Sequence, residues 1–306
     1  MIGNGKYPHC AYIVTESFYR RNTMNINTVI CGGDRRMLSA AALFSKIGNC
    51  KLWRCASGDV GGCKRSDNLT DACRDSFVIL PIPAFDKNGI LNGGGHINAD
   101  EFFRQLPCRS VVYGGKISSI VRRIASEHGH IIYDYGERED FNLFNSIPTA
   151  EAAILIASEH LTTTIKGNRF AVIGYGRIAK ALSSRLSLLG ATVTVFARSD
   201  SALSAAECDG HEAVKLSTIS DHPLYCSVCF NTVPYMLFDK ADIENWEVPY
   251  YIELASAPGG FTEDAKRYLG DRYISALSLP GRYFPDTAGE IIYKTVLTMI
   301  NNGGAI

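Results

Sequence analysis

The sequence has no excess of charge in either direction. Its 31 Lys and Arg stand against 31 Asp and Glu, for a formal net charge of zero over 306 residues. No basic stripe or polybasic tail occurs, which argues against nucleic acid and anionic membranes as partners. No apolar run is long enough to cross a bilayer, so no membrane span is expected. Residues 1–25 are polar and aromatic and lack the apolar stretch of a secretion signal. They read as an N-terminal extension, and the chain as cytoplasmic. Paired Cys-x-x-Cys spacing is missing around Cys50, Cys55, Cys63 and Cys73, so no metal site is expected. Cys226 and Cys229 have that spacing in letters only, because in a strand their thiols point to opposite faces. The ten cysteines read as reduced thiols, with Cys31, Cys226 and Cys229 acting as small apolar residues in strand-like runs. No Ser-His-Asp set occurs either. His96, His128 and His130 stand alone on loops or helix ends and read as structural or solvated.

What is present is organised around residues 169–198. Phe170-Ala171-Val172-Ile173 is a short apolar run with strand character. It ends at Gly174-Tyr175-Gly176-Arg177-Ile178-Ala179, with the spacing G-x-G-x-x-A. A helical stretch follows, with Ile178, Ala181, Leu182, Leu186 and Leu189 on one face. Gly190 stops it, and Val193-Thr194-Val195-Phe196 reads as a second strand. Strand, tight turn, helix and parallel strand in this order form the unit that binds a dinucleotide; a plain structural βαβ turn is the alternative. Gly174 permits the sharp turn, Gly176 lets a pyrophosphate approach the backbone, and Ala179 lets the helix pack on the strand. NAD-binding chains usually carry an acid at the end of the second strand, on the ribose 2′-hydroxyl. Here Ala197-Arg198-Ser199 stands instead, which suits a 2′-phosphate. NADP is therefore expected, with NAD as the alternative if Arg198 is only a solvated loop residue.

The length allows two cores. Thr28-Val29-Ile30-Cys31 reads as a strand running into Gly32-Gly33-Asp34-Arg35-Arg36. A helix ending at Gly48 and a strand at Lys51-Leu52-Trp53 follow. Either Arg35 docks a substrate carboxylate, or Asp34 caps the helix and the arginines are solvated. Strands at 77–80, 110–113 and 131–133, a helix over 117–128 and a glycine-rich loop at 86–95 continue the alternation. The expected fold is α/β, with two doubly wound parallel-sheet, Rossmann-like domains joined by a long helix. That helix is placed over 149–161, with Thr149 as its cap. The polar run 134–140 reads as a solvated loop or as the lining of the interdomain cleft. Strands over 225–231, 250–254 and 275–278 end in small or polar residues, which makes a crevice. The bounds are 1–25 for the extension, 26–147 for a substrate-side domain, 148–285 for the nucleotide domain and 286–306 for a helix packing back on the first domain.

Taken together, Gly32-Gly33-Asp34-Arg35-Arg36, Tyr133-Asp134-Tyr135-Gly136-Glu137-Arg138, Asn145-Ser146-Ile147-Pro148-Thr149-Ala150-Glu151, the glycine fingerprint, Asn231-Thr232-Val233-Pro234, Leu254-Ala255-Ser256-Ala257-Pro258-Gly259-Gly260 and Leu279-Pro280-Gly281 resemble the dipicolinate synthase A-subunit family. The resemblance covers about residues 28–300. It implies formation of pyridine-2,6-dicarboxylate from a dihydro- or 4-hydroxy-tetrahydro-dipicolinate, in the mother-cell cytoplasm of a sporulating bacterium. It also implies that the partner is the flavoprotein-like B-subunit of dipicolinate synthase, and that the architecture is similar to two-domain 2-hydroxyacid and alanine dehydrogenases. Arg282-Tyr283-Phe284 departs from the pattern, where smaller apolar residues are expected.

Such an oxidation needs a hydride acceptor, a base and clamps for two carboxylates. NADP is the expected acceptor. Arg35 and Arg138 are the candidate clamps, because a guanidinium grips a carboxylate with two parallel bonds. Glu137 or Tyr135 is the candidate base, and Thr149 and Glu151 are candidate substrate contacts. Cofactor contacts are expected from Gly174, Tyr175, Gly176, Arg177 and Ile178, from Arg198 and Ser199, from Asn231, Thr232, Val233 and Pro234, and from Ala255, Ser256 and Pro280. Two other classes stay open. A generic NAD(P)-dependent 2-hydroxyacid or amino-acid dehydrogenase usually places a histidine or lysine after the last strands, where only Lys266 is found. A non-catalytic nucleotide-binding subunit is the other. A homo-oligomer is also left open.

Overall fold

The strand Thr28–Cys31 (β1) is buried along its whole length, as a central strand of a parallel sheet must be. It belongs to a computed structural model that describes residues 25–219 and 224–303. Residues 1–24, nearly all of the expected extension, lie outside the described residues. After β1 come Arg35–Phe44 (α1), Cys50–Trp53 (β2), Cys63–Arg65 (β3), Leu69–Cys73 (α2), Phe77–Ile79 (β4), Ala99–Gln105 (α3), Val111–Gly114 (β5), Ser119–Glu127 (α4) and Ile131–Asp134 (β6). Glu139–His160 (α5) leads to Arg169–Ile173 (β7), Arg177–Leu188 (α6), Thr192–Ala197 (β8), Asp200–Cys208 (α7), Glu212–Lys215 (β9), Val228–Asn231 (β10) and Lys240–Ile243 (α8). Tyr250–Glu253 (β11), Glu263–Leu269 (α9), Tyr273–Ser275 (β12), Leu279–Tyr283 (α10) and Pro285–Asn301 (α11) complete the order.

The strands form two six-stranded parallel sheets, β3-β2-β1-β4-β5-β6 and β12-β11-β10-β7-β8-β9. Counted from each sheet's own first strand, both follow the same 3-2-1-4-5-6 order. The expected α/β, Rossmann-like class is borne out. In each sheet the winding reverses beside the first strand, between β1 and β4 and between β7 and β10. Ligands bind at such reversal points in open parallel sheets.

The joining helix differs from expectation. It begins at Glu139, not at Thr149, and includes Pro148. Glu139 and Asp140 in its first turn complement the helix dipole. Thr149 lies mid-helix and buried, its hydroxyl donating to the Asn145 carbonyl at 2.8 Å instead of capping an end. The elements β3, α2, α3, α7, β9, α8 and α10 were not legible. The strand expected from residue 225 starts at Val228, with Tyr225 exposed, and the one placed at 275–278 lies at Tyr273–Ser275. Leu189 is also exposed, outside the buried face of α6.

The chain crosses between the sheets twice, through α5 and through α10–α11. Ile292, Val296 and Met299 of α11 are buried with Met37, Ala41 and Phe44 of α1. Each such side chain contributes roughly 1.5–3 kcal/mol. Phe44 meets Tyr293 edge-on at 4.8 Å. At Gly289 a β-carbon would lie 2.4 Å from the Arg36 carbonyl oxygen, so the two helices approach as closely as their backbones allow.

Candidate functional site

The turn between β7 and α6 is shaped by two glycines with different tasks. Gly174 has a φ of +91°, and a β-carbon there would lie 2.6 Å from the Thr232 hydroxyl. Gly176 has an ordinary backbone, and a β-carbon there would meet nothing within 4 Å. It faces open space at the start of α6, whose first N–H groups receive no side-chain cap. That cradle fits a dinucleotide pyrophosphate. Tyr175 anchors the turn. Its hydroxyl donates to Asp209 at 2.6 Å, and burial together with that carboxylate pushes the phenol pKa up.

Beside the turn lies a cavity of about 370 Å³ lined by Tyr175, Phe196, Arg198, Ser199 and Val233. Ser199 caps α7, and Asp200 is paired with Lys215. Arg198 has no hydrogen-bond or ion-pair partner among the described residues.

On the other side of the turn is a cleft of about 610 Å³ between the two sheets. The second sheet contributes Gly176, Arg177, Ile178, Thr232, Ser256 and Pro280 to it. Asn142, Asn145, Ser146 and Thr149 of α5 form its floor, and Arg36, Ile82, Pro83 and Lys116 come from the first sheet. A neighbouring pocket of about 440 Å³ sits at the first sheet's reversal point and includes Gly33, Asp34, Asp86 and Asn92. The two share Arg36, Ile82, Pro83 and Ser278.

Arg36 is the wall between them. Its Nε donates to both Asp34 carboxylate oxygens at 2.9 and 3.1 Å, and Nη2 donates to the Ile82 carbonyl at 3.0 Å. A β-carbon at Gly281 would lie 2.9 Å from that Nε, so α10 packs directly on the guanidinium. Asp34 does cap α1, accepting from the Arg36 N–H at 3.0 Å.

Several candidates from the sequence lie elsewhere. Arg35 is exposed and lines neither pocket, because one residue turns the helix by about 100°. Arg138 is engaged by Asp140 in two bonds of 2.9 and 2.8 Å, which hold the Asp140 carboxyl below its usual value. Glu137 is exposed and bound to Arg122 at 2.7 Å. Tyr135 is fully buried, its hydroxyl donating to the Leu80 carbonyl at 2.9 Å, and burial pushes its pKa up. Glu151 pairs with Arg185 at 3.1 Å on the outer side of α5. None of these five lines the cleft. Pro234 is exposed and Ala255 is buried, both off the cavities.

Asn231 acts inside the fold. Its Nδ2 donates to Glu253 at 2.7 Å, and Glu253 also accepts from the N–H groups of Ala255 and Gly260. Burial raises the Glu253 pKa against those bonds. The pair braces the loop that brings Ser256 to the cleft. Arg36, Lys116, Asn142, Asn145, Ser146 and Ser278 are the polar cleft residues not among those expected from the sequence. For Lys116 the available signal was the preceding Gly114-Gly115 pair at a strand end.

Two equal-order sheets facing one cleft define a two-domain Rossmann-like fold. Over 228 residues the chain is 29% identical to the dipicolinate synthase A-subunit of Bacillus subtilis (strain 168), covering 73% of this chain and 77% of that protein. The crystal structure of the dipicolinate synthase A-subunit from Bacillus halodurans superposes with a TM-score of 0.80 and 25% identity, over 91% of this chain and 98% of the other. A transhydrogenase from Sinorhizobium meliloti shares the fold, with a TM-score of 0.66 and 9% identity over 90% and 94% of the two chains. No family model matches. The chain is thus similar in sequence and in fold to the A-subunit of dipicolinate synthase, as its motifs imply. Among the described residues no helix is long and apolar enough to cross a membrane, and no cluster of three or more His, Cys, Asp or Glu could hold a metal ion.

Proposed function

We propose that this chain is an NADP-dependent oxidoreductase that oxidises a dihydrodipicolinate, or a 4-hydroxy-tetrahydro-dipicolinate once its hydroxyl has left as water, to pyridine-2,6-dicarboxylate. The observation that carries this is the shared cleft: the reversal point of one sheet presents an open glycine cradle, and that of the other presents Arg36. The dinucleotide, when bound, supplies the hydride acceptor. Gly176 and the uncapped start of α6 receive its pyrophosphate, and Arg198 with Ser199 receives a 2′-phosphate. Arg36 holds a substrate carboxylate with the N–H groups that Asp34 and Ile82 leave free, the task the sequence suggests for Arg35 and Arg138. Asp34 and Asp86 are the carboxylates of the adjoining pocket and replace Glu137 and Tyr135 as proton acceptors. Ile82, Pro83 and Leu254 keep the reacting region apolar. The Bacillus relative's name as an A-subunit supports a second subunit, and the motif resemblance supports reading that partner as the flavoprotein-like B-subunit, in the cytoplasm of a sporulating cell.

The test is a coupled assay. The cyclic intermediate is made from aspartate semialdehyde and pyruvate, and reduced cofactor is followed together with the ultraviolet signature of the pyridine product. Product from this chain alone, or only with the second subunit, supports the proposal. Tight NADPH binding with no product in either mixture sinks it in favour of a generic dehydrogenase.

A further inference from the structure

The cleft holds a second cation with an unusual backbone. Lys116 follows Gly114-Gly115 at the end of β5 and has a φ of +53°, in the left-handed region that a lysine rarely enters. It lines the cleft, and its ammonium has no partner among the described residues. What holds it there is Asp134, at the end of the neighbouring strand β6, in register with Gly114. The Asp134 side chain is 1% exposed. Its Oδ1 accepts from the N–H groups of Lys116 at 2.9 Å and Gly136 at 2.8 Å, and its Oδ2 from Ile117 at 2.6 Å and Arg122 at 3.3 Å. A buried carboxylate is costly unless satisfied in this way. Gly115 presses against the cleft residue Ile82, where a β-carbon would lie 2.5 Å away, so the turn is pinned from both sides. Strained backbone of this kind persists only where its surroundings determine it.

We propose that Lys116 grips the second carboxylate of a ring dicarboxylate whose first is held by Arg36, and that Asp134 positions Lys116 for that task. This rests on the functional reading above and adds the residue that sets substrate choice. Arg177, the other cation lining the cleft, is paired with Glu139, so a monocarboxylate needs one of Arg36 and Lys116 and a dicarboxylate uses both. Lys116 therefore determines specificity, and Asp134 is a positioning residue that touches no ligand.

The experiment titrates the full chain with pyridine-2,6-dicarboxylate, with pyridine-2-carboxylate and, separately, with NADPH. Lys116→Ala is expected to weaken the dicarboxylate by about tenfold or more while leaving the monocarboxylate and NADPH unchanged. Lys116→Arg is expected to restore the preference. Asp134→Asn is expected to reproduce the selective loss, and in turnover to raise the substrate KM more than it lowers kcat. Should Asp134→Asn not fold, the exposed Lys116 still decides the matter. Wild-type protein that binds NADPH but neither acid overturns the functional reading and this assignment together. Normal dicarboxylate preference in Lys116→Ala overturns the assignment of Lys116 alone, and an unchanged preference in Asp134→Asn removes the positioning role.

Discussion

The two glycine turns of this molecule sit at equivalent places in two sheets of the same order, yet one is open and the other is filled. At the β7–α6 turn, Gly176 faces empty space and α6 starts without a side-chain cap. At the β1–α1 turn, the Asn92 carbonyl accepts from the Gly33 N–H at 2.7 Å, and a β-carbon at Gly32 would lie 2.6 Å from that oxygen. Asp34 then occupies the helix start, where an anion would otherwise dock. The same topology thus yields a phosphate cradle in one half and a closed turn in the other. The chain's own loop does in the first domain what a ligand is proposed to do in the second.

The contrast breaks most sharply under a pair of glycine substitutions. Gly176→Asp puts a charged side chain into the open cradle with no backbone strain, so NADPH affinity should fall by about a hundredfold with little change in Tm. Gly93→Ala acts in reverse. Gly93 has a φ of +69°, and a β-carbon there would lie 2.4 Å from the Gly33 nitrogen. It should destabilise the fold by on the order of 2 kcal/mol or more. Thermal unfolding and NADPH titration of both variants check this; a Gly176→Asp protein that binds NADPH normally rules out the cradle.

A smaller effect concerns what the open turn prefers. Arg198→Asp should lower NADPH affinity by about tenfold and favour NADH instead. Unchanged NADPH binding would remove Arg198 from the site. The smallest expected effect is shared by both halves. His130 precedes β6 and His211 precedes β9, each buried with one ring nitrogen unpaired among the described residues. Burial lowers the pKa of both below the ordinary 6.5. Protons therefore bind the unfolded chain more readily. The stability held by the neutral rings is intact above that value and is lost as the pH falls from it through the lower folded values. Tm should drop by a few degrees between about pH 7.5 and about pH 5.5, and less in His130→Phe. An equal drop in that variant would remove His130 as a source.

Most strands and both glycine turns were readable because short apolar runs ending in glycine have few other uses. The fold class followed from their alternation. The start of α5 was not readable, because Pro148 followed by Thr149 carries the marks of a helix start and nothing local reveals that the Thr149 hydroxyl bonds backward to Asn145. The cleft was half readable. Gly176 and Ser256 lie on it where the fingerprint and strand ends implied. Arg35 gave way to Arg36 because a single residue of helical phase decides which side chain meets Ile82 and α10. Lys116 owes its place to Asp134, a partner from the next strand that no spacing rule connects to it.

The return of α11 onto α1 also sets an order of events during synthesis. Ile292, Val296 and Met299 complete a core begun by Met37 and Phe44, so the first domain cannot finish folding when its own sheet has been made. An emerging chain carries the apolar face of α1 uncovered while the whole second sheet is translated. The second domain, which borrows nothing comparable from so far away, can close first. Ribosome-bound chains stopped just before α11 should accordingly be protected from protease in the later-made half and cut in the earlier one.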